Sequence, residues 1–182
     1  MDKGALSYEK YKNGDDQGFY EIVHEYFDGL AAYINGIVGD FCRAEELADD
    51  TLLKLALKRP SFDGRSSFKT WLFSIGRNIA YDSLRKKAPP PSVSLDETAE
   101  TEDGPEQAYI KDERNKIIYK ALDGLKPEYR EVLWLTFFEG VSAEQTAKIM
   151  HKSKAAVYTL LNRAKSSLKE KLLKEGFDNE IV

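Results

Sequence analysis

Ser142-Ala-Glu-Gln-Thr-Ala-Lys-Ile-Met-His-Lys-Ser-Lys-Ala-Ala-Val-Tyr-Thr-Leu-Leu-Asn-Arg-Ala-Lys165 is the stretch on which the reading of this chain turns. Ser142 suits the cap of a helix ending near His151, and Ser153 the cap of a second helix from Lys154 to about Lys174. Two helices joined by a tight turn, the second strongly basic, have the outline of a helix-turn-helix. Ala147 is small where the first helix must approach the second, and Ile149, Val157 and Leu161 sit where a small core needs apolar side chains. Lys152, Lys154, Tyr158, Thr159, Asn162, Arg163 and Lys165 are left as candidates to face DNA. The start of the second helix would reach base edges in a major groove, and the later basic residues would meet phosphates. The alternative is an ordinary helical hairpin with a solvated basic face.

Working outward, Ile117, Ile118, Ala121, Leu122 and Leu125 mark one helix. Pro127 suits the first turn of the next, which carries Tyr129, Val132, Leu133, Leu135 and Phe137 and is broken by Glu139-Gly140-Val141. Upstream lies Ala88-Pro-Pro-Pro-Ser-Val-Ser-Leu-Asp-Glu-Thr-Ala-Glu-Thr-Glu-Asp-Gly-Pro105. Its prolines forbid a helix and its acidic, polar run has little to bury, so it reads as a linker. Before it, apolar residues from Phe19 to Val38 follow three-four spacing, with Gly39-Asp40 ending or interrupting that helix. A second helix runs from about Arg43 to Lys58, with Leu47, Leu52 and Leu55 inward and Glu45, Glu46, Asp49, Asp50 and Lys54 outward; Pro60 stops it. A third runs from Phe68 to about Lys87, with Trp71, Leu72, Ile75, Ile79 and Leu84 on its apolar side. The expected fold is all-α: two small helical domains, 1–88 and 109–182, joined by a flexible, acidic, proline-containing linker over 89–108.

Composition sets limits on function. The 182 residues, 42% hydrophobic and 12% aromatic, can fill real cores. The N-terminus lacks the apolar run of a signal peptide, and no stretch is apolar enough to insert in a membrane. Cys42 is the only cysteine, so no intrachain disulfide forms and a cytoplasmic location fits. His24 and His151 lie far apart, so no metal site and no cofactor are expected. The net charge of −4 conceals a pattern. Lys and Arg outnumber Asp and Glu by 9 to 2 over residues 54–87 and by 8 to 1 over 148–174. The segments 1–53 and 88–147 are acidic, at 4 to 12 and 6 to 13. Each basic block can meet phosphates while acidic faces serve another partner, although sign asymmetry also arises from solvated helix faces.

The first basic block contains a second constellation. Phe62-Asp-Gly-Arg-Ser-Ser-Phe-Lys-Thr-Trp71 places aromatic rings among polar and basic groups, and Arg77, Asn78, Arg85 and Lys86 follow. Aromatic faces stack on unpaired bases, and a polar pocket can read a flipped base by its Watson–Crick edge. Phe68 and Trp71 also stand at helical spacing with Leu72 and Ile75, so a core or half-core role for Trp71 stays open.

Phe62-Asp-Gly-Arg-Ser-Ser-Phe-Lys-Thr-Trp-Leu-Phe-Ser-Ile-Gly-Arg-Asn-Ile-Ala-Tyr-Asp-Ser-Leu-Arg85 resembles the promoter-melting segment of extracytoplasmic-function sigma factors of the sigma-70 family. Ala44-Glu-Glu-Leu-Ala-Asp-Asp-Thr-Leu-Leu-Lys-Leu55 resembles the helix by which that family grips the polymerase clamp. The C-terminal helix-turn-helix resembles its domain for the −35 element, and the likeness covers nearly the whole chain in order. The resemblance implies a DNA-binding initiation factor, not an enzyme, whose partners are core RNA polymerase, promoter DNA and an anti-sigma factor. Glu45, Glu46, Asp49, Asp50 and Lys54 would face the clamp. Phe62, Ser66, Ser67 and Asn78 would line a pocket for a flipped −10 base, and Arg65, Lys69, Arg77, Arg85 and Lys86 would hold the strand or upstream duplex. Lys152, Ser153, Lys154, Tyr158, Thr159, Asn162 and Arg163 would face the −35 element.

The chain departs from the family pattern at Asp49, where Gln is common, and at His151, where Gly is usual in the turn. Tyr158 and Leu160 stand where basic or small polar residues are frequent, which bears on base contacts more than on fold. The main competing reading is a helix-turn-helix regulator that works without polymerase, which leaves the first ninety or so residues without a task; a third is an interaction protein that uses its acidic helix to sequester a partner. No P-loop, Gly-x-Ser-x-Gly or His-Glu-x-x-His sequence argues for catalysis.

Overall fold

A computed structural model describes residues 2–87 and 113–174. The elements are α1 (Lys3–Lys12), α2 (Gln17–Val38), α3 (Phe41–Lys58), α4 (Phe68–Lys87), α5 (Glu113–Asp123), α6 (Pro127–Leu133), α7 (Ala143–Met150) and α8 (Lys154–Lys174). No strand occurs among the described residues. The fold is all-α, with helical bundles on either side of the segment read as a linker, which lies outside the described residues.

The helix ends follow from local chemistry. Gly39 closes α2 in the left-handed region, φ 69°, and its N–H reaches the Asn35 carbonyl at 2.8 Å. Asp40 then caps α3, accepting from the Arg43 N–H at 2.9 Å. Arg59 leaves α3 at φ 41° just before Pro60, and its guanidinium lies over the Tyr11 ring, 4.7 Å from the centroid. Pro127 opens α6, which ends in a π-helical turn, Trp134–Phe138. Ser142 and Gln145 form a reciprocal capping box on α7, and the Ser153 hydroxyl accepts from the Ala156 N–H at 3.2 Å to start α8. Each of these stops and starts matches the sequence reading within a residue or two.

Three features differ from that reading. The polar N-terminus forms α1, whose Tyr8 and Tyr11 are buried. Their hydroxyls donate to the carbonyls of Pro60 at 2.6 Å and Ala56 at 3.1 Å, so aromatic mass is buried without stranding a polar group. Asp2 serves two helices at once, accepting from Ala5 N–H at 2.9 Å in α1 and from Phe68 N–H at 2.8 Å at the start of α4. On α4, Leu72 is buried and Trp71, Ile75 and Ile79 are half-buried as expected, but Leu84 is exposed, and Phe68, Phe73, Ala80 and Ser83 join the inward face. Gly76 lies on that face, and a Cβ there would meet the Leu30 side chain of α2 at 2.8 Å, so Leu30 would have to shift to admit one.

The third difference is the largest. α4 packs against α7, and α2 packs against α6 and the π-helical turn, so the two halves are docked. Their buried apolar side chains form one continuous cluster, from Leu47, Leu55 and Phe73 through Leu133 and Leu135 to Ile149 and Val157.

Candidate nucleic-acid interface

α8 presents its residues to solvent. Lys154, Tyr158, Thr159, Asn162, Arg163 and Lys165 are exposed, while Val157, Leu161 and Ala164 turn inward against α6 and α7. The restraints on this face are light. Lys154 approaches Glu144 at 3.9 Å, and the Lys165 ammonium sits over the Phe137 ring at 5.2 Å. Lys152 is half-buried and pairs with Glu128 at 3.0 Å, and the Ser153 hydroxyl is occupied as a cap. His151, in the turn, adopts φ 53° and ψ 42°, the left-handed geometry for which glycine is the easy choice.

The polar side of α4 and the loop before it meet a different environment. Ser67 caps α4, its hydroxyl accepting from Thr70 N–H at 3.1 Å, and also accepts from the Gln145 side-chain amide of α7 at 3.2 Å. The Lys148 ammonium donates to the Arg65 carbonyl at 3.0 Å. Asn78 Oδ1 lies 3.3 Å from His151 Nε2. Lys69 pairs with Glu139 at 2.6 Å and donates to its main-chain carbonyl at 2.9 Å. Arg77 pairs with Glu131, whose carboxylate is wholly buried. Ser67, Lys69, Arg77 and Asn78 each set a side chain against the C-terminal half, whereas Arg65 meets it only through its carbonyl and keeps its side chain exposed beside Asp63 at 3.4 Å. Ser66 is bonded locally to the Ser67 carbonyl at 3.3 Å. Arg85 and Lys86 are exposed at the far end of α4, Arg85 paired with Asp82.

Glu131 is the centre of this interface. Besides Arg77, it accepts from the Tyr33 hydroxyl of α2 at 2.7 Å and from the Tyr81 hydroxyl of α4 at 3.1 Å. The Arg77 guanidinium lies 4.4 Å from the Tyr81 ring centroid. Burial raises the Tyr33 phenol well above its ordinary value, and the charge and hydrogen bond of Glu131 raise it further. Burial likewise pushes Tyr81 up to about 12, with the Glu131 charge adding to the shift and Arg77 opposing it. Both phenols donate to Glu131, and a carboxylate that would be costly to bury alone is satisfied on both oxygens.

Phe62 stands apart from Asn78. Its ring packs on Trp71 at 5.3 Å and edge-on to Phe68 at 5.8 Å, and it lines a cavity with Tyr8, Lys12, Asn13, Asp63 and Gly64 that does not include Asn78. Asn78 is seven residues beyond Trp71 on α4, roughly 10 Å further along the axis. Trp71 is half-buried within the same aromatic cluster, touching Tyr8 at 5.4 Å.

A separate face lies on α3, where Glu46, Asp49, Asp50 and Lys54 are exposed, Glu45 is half-buried and Glu46 pairs with Arg43 at 2.6 Å. Two apolar side chains share it unforeseen, Leu53 at 53% and Leu57 at 75% exposed. Their signal was in the spacing. With Asp50 and Lys54 they fall at i, i+3, i+4 and i+7, off the Leu47–Leu52–Leu55 stripe. Glu131 carried no such signal, since nothing in its spacing distinguishes it from a solvated helix carboxylate. Among the described residues, no helix is long and apolar enough to cross a membrane.

An all-helical chain with a solvent-facing basic helix after a tight turn, and a second polar and basic helix, has the outline of a DNA-binding protein. Comparison with known proteins narrows the class. Residues 22–89 match the family model for sigma-70 region 2, and residues 115–168 that for sigma-70 region 4. SigX of Bacillus subtilis, an ECF RNA polymerase sigma factor, is 30% identical over 176 residues, covering 91% of this chain and 91% of SigX. BldN of Streptomyces coelicolor, another ECF sigma factor, is 31% identical over 166 residues, covering 88% of this chain and 62% of BldN. The solved structure of the sigma factor RpoE with the anti-sigma factor NepR from Bartonella quintana matches with a TM-score of 0.64 at 28% identity, covering 86% of this chain and 96% of that one. The chain belongs to the extracytoplasmic-function (ECF) RNA polymerase sigma factors of the sigma-70 family, the DNA-binding factors of transcription initiation.

Proposed function

We propose that this sigma factor uses three separate surfaces: α3 for core RNA polymerase, the loop and polar side of α4 for the −10 element, and α8 for the −35 element. The observation that carries this is the exposed face of α3, where Asp49, Asp50 and Lys54 flank the unburied Leu53 and Leu57. Large apolar side chains kept in water between charges are the composition of a protein-docking face. A polymerase-independent regulator has no use for one here. The exposed Lys154, Tyr158, Asn162 and Arg163 on α8 support duplex reading in a major groove. Phe62, Arg65, Ser66, Ser67, Lys69, Arg77, Asn78, Arg85 and Lys86 are assigned to the −10 strand and the duplex beside it, and Lys152, Ser153, Thr159 and Lys165 to the −35 side.

The protein works by binding and positioning rather than by catalysing a bond change, in the cytoplasm where its polymerase is. An anti-sigma partner is part of the reading, supported by the complex in which RpoE of Bartonella quintana was solved. The test is run-off transcription by core polymerase reconstituted with this chain on a library of promoter sequences. A discrete set of transcribed promoters is expected. Charge reversal of Asp49 and Asp50 together should weaken core binding at least tenfold with unchanged helix content. Duplex binding with no transcript from any promoter would favour the polymerase-independent regulator.

A further inference from the structure

We infer that α1 is part of the −10 reading site: the base that stacks on Phe62 enters a cavity between Phe62 and α1, where Glu9 and Asn13 read its edge. The inference rests on the −10 assignment proposed above and deepens it. The cavity, about 300 Å³, is walled on one side by Tyr8, Glu9, Lys12 and Asn13 and on the other by Phe62 and Asp63. Ligand sites begin at about this size. Asn78 is not among its walls. α1 precedes residues 22–89, the segment that matches sigma-70 region 2, so its side chains are additions of this chain's own fold to that site.

α1 holds the loop that carries Phe62 at both ends. At the start, the Tyr8 hydroxyl donates to the Pro60 carbonyl at 2.6 Å. At the end, Asp2 accepts from the Phe68 N–H at 2.8 Å. The Tyr8 ring packs on Phe68 at 5.5 Å and on Trp71 at 5.4 Å, the same two rings that support Phe62. The cavity is thus shaped before any strand arrives, which lowers the ordering cost of binding.

The chemistry of the walls selects a base over a phosphate. Glu9 and Asp63 outnumber Lys12, so the cavity repels an anion and admits a neutral ring. Glu9, Lys12 and Asn13 are exposed, and no ion pair or side-chain hydrogen bond with another described residue holds Glu9 or Asn13. The Asn13 amide can donate and accept at a base edge, whereas a carboxylate only accepts. Glu9 therefore favours a base with an exocyclic amino group and disfavours thymine, which has none. Lys12, 5.9 Å from the Tyr8 ring centroid, is placed to meet a phosphate of the strand outside.

The experiment uses core polymerase reconstituted with the full chain and a promoter library randomised over the −10 element, with transcripts counted by sequence. The parent should reject thymine at one position, the one whose preference Phe62→Ala flattens. Glu9→Gln and Asn13→Ala should each reduce that rejection by about fivefold, leaving preferences at the other −10 positions and the melting temperature unchanged. Lys12→Ala should lower output from all promoters alike. If Asn13→Ala fails to fold, judged by circular dichroism, the isosteric and exposed Glu9→Gln carries the test. Flattening at every −10 position together, with a lower melting temperature, would mean that α1 only supports the loop, and would overturn the reading role. Unchanged preferences in both variants, with opening still impaired by Phe62→Ala, would overturn it too and leave the −10 assignment standing. If Phe62→Ala alters neither opening nor any preference, the −10 assignment has failed as well.

Discussion

The two basic blocks of this chain carry equal charge and differ in which of their cations meet the other half of the molecule. Residues 54–87 and 148–174 each carry a surplus of seven positive charges, from 9 against 2 and 8 against 1. The second block keeps Lys154, Arg163 and Lys165 exposed on α8. The first gives Arg77 to a buried carboxylate and Lys69 to Glu139. Charge counting measures how many cations a segment supplies, but not which of them already have partners. Potential at a surface depends on both.

The contrast can be broken most forcefully on α8. Replacing Lys154, Arg163 and Lys165 together by Ala should lower the log–log salt slope of duplex binding by about three, since each lost phosphate contact removes about one counterion. Lys69→Ala, on the covered face, should leave that slope unchanged. An equal fall for Lys69→Ala would erase the distinction between the blocks.

A smaller effect is expected at Phe62. In the holoenzyme, Phe62→Ala should impair promoter opening, read by permanganate reactivity of unpaired thymines, in line with stacking worth about 1–3 kcal/mol per base. Its packing on Phe68 and Trp71 adds a second expectation, a lower melting temperature for the protein itself. Binding of −35 duplex should not change. A melting temperature lowered with no loss of opening would make Phe62 a core residue only.

The smallest effect concerns the turn between α7 and α8. His151 holds a positive φ of 53° that costs a side-chain-bearing residue about 1 kcal/mol relative to Gly. His151→Gly should therefore raise the stability of the helix-turn-helix by about that amount, while removing the contact to Asn78. Chemical denaturation followed by tryptophan fluorescence would show it, and a destabilised variant would mean the Asn78 contact outweighs the strain.

What was legible in the sequence was local. Gly39, Asp40, Pro127, Ser142 and Ser153 fix where helices stop and start through their own backbone preferences and side-chain oxygens, and those boundaries appear where they point. The solvent face of α8 was legible for the same reason, because its apolar positions Val157 and Leu161 turn the opposite side inward. α1 was less so: its buried face is built from tyrosines whose hydroxyls bond to carbonyls some fifty residues away, as Tyr8 does with Pro60, and no short-range pattern encodes such partners. The docking of the halves was not legible at all. Glu131 meets Tyr33 98 residues distant in the chain, and its burial comes from tertiary packing, not from anything beside it in the sequence.

The most direct test of the contrast, that Arg77 of the first block is covered while α8 keeps its cations free, is the relative reactivity of arginines toward a dicarbonyl reagent in the intact chain, read by mass spectrometry. Arg85 lies on the same helix as Arg77 with its side chain 78% exposed, against 13% for Arg77, and provides the internal standard. The docked structure predicts that Arg77 reacts at least ten times more slowly than Arg85 and Arg163, and that Glu131→Lys removes most of this protection. Arg77 reacting within about twofold of Arg85 in the parent chain would contradict it.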